Sequence, residues 1–295
     1  MKKLIVILGP TASGKTALSI RLAKKYGGEI VSADSRQVYQ GLNIGSGKIT
    51  KREMKGIPHH LLDVADPKRK FTVAQYQKLA TKAVHDIQSR NNIPFLVGGT
   101  GFYIQSVVDG IILPEVKPNR ALRARLSKKS VAQLFSILKK LDSARTKTID
   151  SKNPARLIRA IEIVTQTKKP IALIKKAPQF DVLEIGINLS KEKYRKILQQ
   201  SQAKRFKQGL ITEVKKLRTS GLSWKRLEEL GLEYRLVAQY LQNKLTKAEM
   251  QEKLQKEIWK FAKRQMTWFN RNKRIRWIRN PREAEALVGK FLKIE

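Results

Sequence analysis

Apolar positions fall along this chain in two rhythms. Short unbroken runs recur at Leu4-Ile5-Val6-Ile7-Leu8, Glu29-Ile30-Val31-Ser32-Ala33, Ile93-Pro94-Phe95-Leu96-Val97 and Val182-Leu183-Glu184-Ile185-Gly186-Ile187-Asn188. Runs this short, bounded by glycine or polar residues, predict buried strands. Between them the apolar residues return at helical spacing, over 17–23 and then through Val73, Tyr76, Leu79, Ala80, Ala83, Val84 and Ile87 in 71–90. Similar spacing predicts helices over 121–126, 131–141, 156–164, 190–209, 232–241 and 248–269, with Ser190 as an N-cap. The alternation in 271–279 predicts a last strand, with Ile275, Trp277 and Ile278 turned partly inward.

Strands alternating with helices predict an α/β fold. Residues 1–113 read as the first part of the core. From 114 to 181 the strand pattern stops, and the segment reads as a mostly helical, basic insertion. Residues 182–295 return to the core and are mostly helical.

The chemistry is written where the first strand ends. Gly9-Pro10-Thr11-Ala12-Ser13-Gly14-Lys15-Thr16 lies between that strand and a helix, which is the context a phosphate-binding loop requires. Glycine at both ends lets successive N–H groups turn toward one anion. The helix start adds its positive end, Lys15 a mobile cation, and the Thr16 hydroxyl a ligand for Mg2+. The expected architecture is therefore a P-loop NTPase-like parallel sheet flanked by helices, carrying a helical insertion. Kinases, ATP-binding NTPases and other phosphate-handling enzymes share such a loop, so it does not select a reaction.

Charge narrows the field. Lys and Arg number 62 against 24 Asp and Glu, a net +38, and such a field attracts polyanions, nucleic acid first and acidic membrane second. The absence of cysteine removes disulfides, thiolate nucleophiles and thiolate metal sites, and fits a cytoplasmic location. No run is long enough to span a membrane, the first is too short for a signal peptide, and nothing demands a partner chain, so a monomer away from membranes is expected.

Two further strand ends carry candidate groups. Asp34-Ser35-Arg36-Gln37-Val38-Tyr39 follows the second strand, where a carboxylate could take a proton or, alternatively, cap a turn. Gly98-Gly99-Thr100-Gly101-Phe102-Tyr103 follows the third; its glycines suggest close approach to a ligand, with the Thr100 hydroxyl offered into the site. His59 and His60 lack further ligands at metal spacing and read as structural.

These segments, with Pro58-His59-His60-Leu61, Arg156 to Glu162, Arg205, Gly209 to Val214, Gly231 to Tyr234 and Ala262 to Phe269, closely resemble the bacterial tRNA dimethylallyltransferases, also called tRNA isopentenyltransferases. The resemblance runs in order through nearly the whole chain. It implies transfer of a dimethylallyl group from dimethylallyl diphosphate to N6 of the adenosine 3′ of the anticodon, position 37, in tRNAs reading codons that begin with U. Asp34 is then the base and Thr100 its catalytic partner. Gly9 to Thr16 and Arg205 bind the diphosphate with Mg2+ on Thr16. Asp34, Ser35, Arg36, Gln37, Thr100, Arg123, Ala155, Arg156, Leu157, Ile158 and Arg159 contact the tRNA anticodon stem-loop, over which the insertion forms a flap. Two positions depart from the family: Asn43 stands where Asp is common, and Ile49 where Pro is usual. A nucleoside kinase, a prenyltransferase acting on free adenine nucleotide and an inactive tRNA-binding protein are the competing readings.

Overall fold

The first run forms strand β1 (Lys2–Leu8), and it lies inside the sheet rather than at an edge because neither of its faces tolerates water. In the computed structural model, which describes residues 1–114, 116–171 and 176–293, Leu4 to Leu8 are at most 1% exposed. Their side chains alternate between two cores: Leu4, Val6 and Leu8 enter one, Ile5 and Ile7 the other. A strand buried on both faces reads as continuous apolar sequence. The remaining strands are β2 (Gly28–Ala33), β3 (His59–His60), β4 (Ile93–Gly98), β5 (Phe180–Ile187) and β6 (Arg276–Ile278). Among the described residues they form one sheet in the order β3-β2-β4-β1-β5-β6, every pairing parallel.

The pattern of the sequence anticipates five of the strands; β3 is the addition. At two residues it is too short to have a period, and it exists through its pairing with Ile30 and Val31. The His60 Nε2 lies 2.6 Å from Glu29 Oε2, and the same carboxylate receives bonds from Arg90 and Asn92. His59 turns its Nδ1 toward the Ile57 carbonyl at 2.8 Å, and burial lowers its pKa. Both histidines therefore serve the sheet edge.

The expected helix over 71–90 runs Val73–Ser89, started by Thr72 and Gln75 in a reciprocal capping box. The expected helix over 190–209 is two. Lys191–Lys207 begins on the Ser190 cap and ends before Gly209, whose φ of 95° turns the chain into a second helix, Leu210–Thr219. Long-range packing then comes from the Lys247–Phe269 helix, with Met250, Leu254, Ile258, Ala262 and Phe269 in the first core.

The chain separates into two compact units, Met1–Gly110 with Pro178–Glu295, and Ile111–Ala177. The helical unit starts and ends earlier than the 114–181 expected for it. Phe180 and Asp181 already pair with Lys2 and Lys3 in the sheet, so they belong to the core. Within that unit the helices Arg120–Leu126, Val131–Leu141 and Pro154–Thr167 bury Leu122, Leu126, Leu134, Leu138, Leu157, Ala160 and Ile161 against one another. No helix among the described residues is long and apolar enough to cross a membrane.

Candidate active site

One line of register builds the site. Leu8 pairs with Gly98, and Gly98 with Ala33, so β1, β4 and β2 end level with one another. The residues that follow, Gly9, Gly99 and Asp34, leave the sheet side by side at its carboxyl edge, where parallel sheets hold their ligands. The loops they begin line a cavity of about 410 Å³ that takes in Lys15, Thr16, Asp34 to Gln37, Thr100 and Arg205.

The first loop has the geometry of an anion cradle. Ala12 at φ 59° and Gly14 at φ 91° are left-handed, which curls the backbone between them. The helix Lys15–Tyr26 starts without a side-chain cap or an acid in its first turn, so its N-terminal N–H groups stay available to an anion. Lys15 Nζ donates to the Pro10 carbonyl at 2.6 Å. Burial lowers its pKa to about 8, against the opposing pull of the Asp34 charge. The Ser13 hydroxyl is buried and has no partner among the described residues. Thr16 is exposed at the cavity. A lone hydroxyl fits Mg2+, which takes few protein ligands when phosphate oxygens supply the rest.

Opposite the cradle, the Asp34 carboxylate divides its work between its two oxygens. Oδ1 accepts from the N–H groups of Arg36 at 2.8 Å and Gln37 at 3.3 Å, the turn-capping role open to any Asp at a strand end. Oδ2 has no hydrogen-bond partner among the described residues. The Thr100 hydroxyl accepts from the Ser35 N–H at 3.0 Å, which leaves its own hydrogen free to donate. Gln37 reaches the Gly47 carbonyl at 3.3 Å and so ties this turn to the 42–48 loop.

The glycines of the second loop have a different reason from the one expected. A Cβ at Gly98 would lie 2.1 Å from the Ala33 carbonyl oxygen, and one at Gly101 would lie 2.2 Å from the Trp268 ring. They yield to the chain itself, not to a ligand.

Arg205 lines the cavity, but its guanidinium is already paired with Glu233 and bonded to the Gly45 carbonyl at 3.0 Å. The residues expected to touch tRNA from the insertion also have internal partners. Arg123 and Arg159 both hold Glu162, at 2.5 and 2.6 Å, on a carboxylate with no exposure. Burial opposes charge on Glu162, yet these bonds and that from the Asn119 N–H outweigh it and bring its pKa down to about 2. Leu157 is wholly buried in the insertion core, a packing residue rather than a surface one. Ala155 and Arg156 are exposed and Ile158 is half-buried.

Three residues that the sequence did not single out for the site hold it in shape. Gln265 accepts from the Thr11 N–H at 2.9 Å and donates to the Gly99 carbonyl at 2.8 Å. The Tyr194 hydroxyl donates to the Thr11 carbonyl at 2.7 Å. Glu213 accepts from the N–H groups of Asn43, Ile44 and Gly45 and from the Tyr234 hydroxyl. Asn43, the first departure from the family pattern, thus joins the loop through its backbone, and Ile49, the second, packs against the second core.

The model of the IPP transferase family matches residues 37–272. The tRNA dimethylallyltransferase 1 of Syntrophus aciditrophicus is 43% identical over 97% of this chain and 96% of its own. The crystal structure of the full-length tRNA isopentenylpyrophosphate transferase from Bacillus halodurans superposes with a TM-score of 0.75 at 33% identity, covering 99% of this chain and 96% of that one. A eukaryotic dimethylallyltransferase acting on tRNA gives 0.80 at 26% identity, over 91% of this chain and 70% of that one.

Proposed function

The chain belongs to the IPP transferase family, and from that premise we propose that it moves a dimethylallyl group from dimethylallyl diphosphate to N6 of the adenosine 3′ of the anticodon in tRNA. The observation that carries this reading is the common cavity of Lys15 and Asp34, at the level ends of neighbouring strands. A leaving-group cradle and a proton acceptor then face one reacting centre.

The chemistry follows from the residue types. Breaking the allylic C–O bond puts negative charge on diphosphate, and the N–H groups of the cradle with the Lys15 ammonium neutralise it. Thr16 would hold Mg2+, which when bound would supply further positive charge to the leaving group. The adenine amine forms the new C–N bond and loses one proton, for which the unpartnered Oδ2 of Asp34 is the acceptor. Thr100, tied to the Asp34 turn, can donate to the oxygen bridging carbon and phosphorus. The base has to leave the anticodon stack to reach this depth, at a cost of a few kcal/mol that loop contacts offset. Ser35, Arg36 and Gln37 lie beside the acceptor and suit contacts to the flanking nucleotides. The +38 charge supports a polyanionic substrate over a free nucleotide. In the insertion, Arg123, Arg156 and Arg159 retain N–H groups for phosphates.

The test is incubation of unmodified tRNA carrying that adenosine with labelled dimethylallyl diphosphate, followed by mass analysis of the nucleosides. The expected product is N6-dimethylallyladenosine at the position next to the anticodon. In parallel incubations, label transferred to AMP and not to tRNA would favour the free-nucleotide reading, and phosphoryl transfer from added ATP to a nucleoside would favour a kinase.

A further inference from the structure

Gln265 lies in the wall of the same cavity, and it is the side chain that joins the loop of Lys15 to the loop of Thr100. It lies on the Lys247–Phe269 helix, 9% exposed, with both ends of its amide used. Its oxygen takes the Thr11 N–H and its nitrogen gives to the Gly99 carbonyl. An amide is the group for this task, since it offers an acceptor and a donor on one planar end. Thr11 precedes the curled part of the cradle, and its carbonyl is held in turn by Tyr194, so both its backbone groups are fixed by helices outside the sheet. Gly99 precedes Thr100, whose hydroxyl bonds the turn of Asp34. A continuous chain of contacts therefore runs from cradle to acceptor through one side chain.

We infer that Gln265 is a positioning residue that sets the distance between the diphosphate cradle and the Thr100–Asp34 side of the cavity, a role that rests on the transfer reading above. Gly99 bears a second mark of it. A Cβ there would lie 2.5 Å from Gln265 Nε2, so the glycine leaves room for this amide. Without the amide the N–H groups at the start of the Lys15–Tyr26 helix still bind diphosphate, but the two halves of the site drift relative to each other. A misplacement of about 1 Å between reacting groups lowers rates by about a hundredfold.

The experiment is a cycle of Gln265→Ala, Gly99→Ala and the double variant in the full chain, with kcat, the KM for dimethylallyl diphosphate and the melting temperature measured for each. Gln265→Ala is expected to lower kcat by about tenfold to a hundredfold while KM changes by less than about threefold. Gly99→Ala should produce the same defect in the parent enzyme and almost none on top of Gln265→Ala, because the added methyl then meets no amide. Unchanged kcat in folded Gln265→Ala, a proportional loss of rate and diphosphate binding, or additive effects in the cycle would each overturn the assignment. An unmodified enzyme that prenylates no tRNA would overturn the transfer reading as well, which an active parent with an indifferent Gln265→Ala would leave standing.

Discussion

Two oxygens of one carboxylate carry different loads at Asp34, and substitutions can separate them. Asparagine keeps an acceptor for the Arg36 and Gln37 N–H groups but offers no base. Asp34→Asn is expected to lower the single-turnover rate by about a hundredfold to ten-thousandfold with tRNA affinity held within about threefold. Asp34→Ala should also weaken tRNA binding, because the turn presenting Ser35 to Gln37 loses its cap. Rate and affinity measured for both variants decide this; equal affinities in the two would show that the cap does not shape the tRNA contact. Lys15 makes a second residue-scale prediction. Its pKa of about 8 means that the free enzyme loses this cation as pH rises through that value. Anion binding favours the protonated amine, so the KM for dimethylallyl diphosphate should stay level below about pH 8 and climb by up to about tenfold per pH unit above it. Lys15→Ala should raise KM and abolish that rise. Asp34, Lys15 and Thr100 were legible because each sits within a few residues of a strand end that the sequence itself announces. Gln265, Tyr194 and Glu213 were not, since their partners lie 254, 183 and 168 residues away. A glutamine inside an amphipathic helix has nothing local that distinguishes it from a surface one.

At the level of elements, the 42–48 loop has no regular structure of its own and takes its shape from a helix. Glu213, 9% exposed on Leu210–Thr219, accepts three consecutive N–H groups of this loop and the Tyr234 hydroxyl. Glu213→Gln would turn two N–H donors among those donors and leave buried groups unpaired. The expected loss is about 2 to 4 kcal/mol of unfolding free energy, read from urea denaturation, with a drop in tRNA affinity as Gln37 loses its hold on Gly47. A change of under about 0.5 kcal/mol would show that the loop does not depend on this anchor. Most runs read as strands or helices coincide with elements of the structure, but the helices Trp224–Glu229 and Pro281–Leu292 are additions that the pattern did not yield. The two-residue β3 and the break at Gly209 depend on a neighbouring strand and on one left-handed backbone angle, neither of which has a period.

For the whole molecule the question is what a net +38 does. The insertion, residues 111–177, contains 17 Lys and Arg against 4 Asp and Glu, so +13 lies there and +25 in the core unit. Both units therefore attract a polyanion, as a substrate the size of tRNA would use. Part of that charge is already matched internally: Arg123 and Arg159 share Glu162, Arg274 pairs with Asp109 and Glu184, and Arg205 pairs with Glu233. Among the described residues, lysines such as Lys128, Lys129, Lys139 and Lys140 have no ion pair of this kind and are exposed to phosphates and their counterions. Each phosphate neutralised releases most of one condensed cation, so log Kd for tRNA should rise linearly with log salt, with a slope of about 4 or more if six or more phosphates are engaged. Dimethylallyl diphosphate carries few charges into a cradle made largely of backbone N–H groups, and its KM should vary by less than about threefold over the same range. Filter binding from 50 to 300 mM salt, beside steady-state kinetics at saturating tRNA, separates the two. A tRNA slope near 1 would mean that the positive surface serves solubility, with recognition confined to the cavity and its rim.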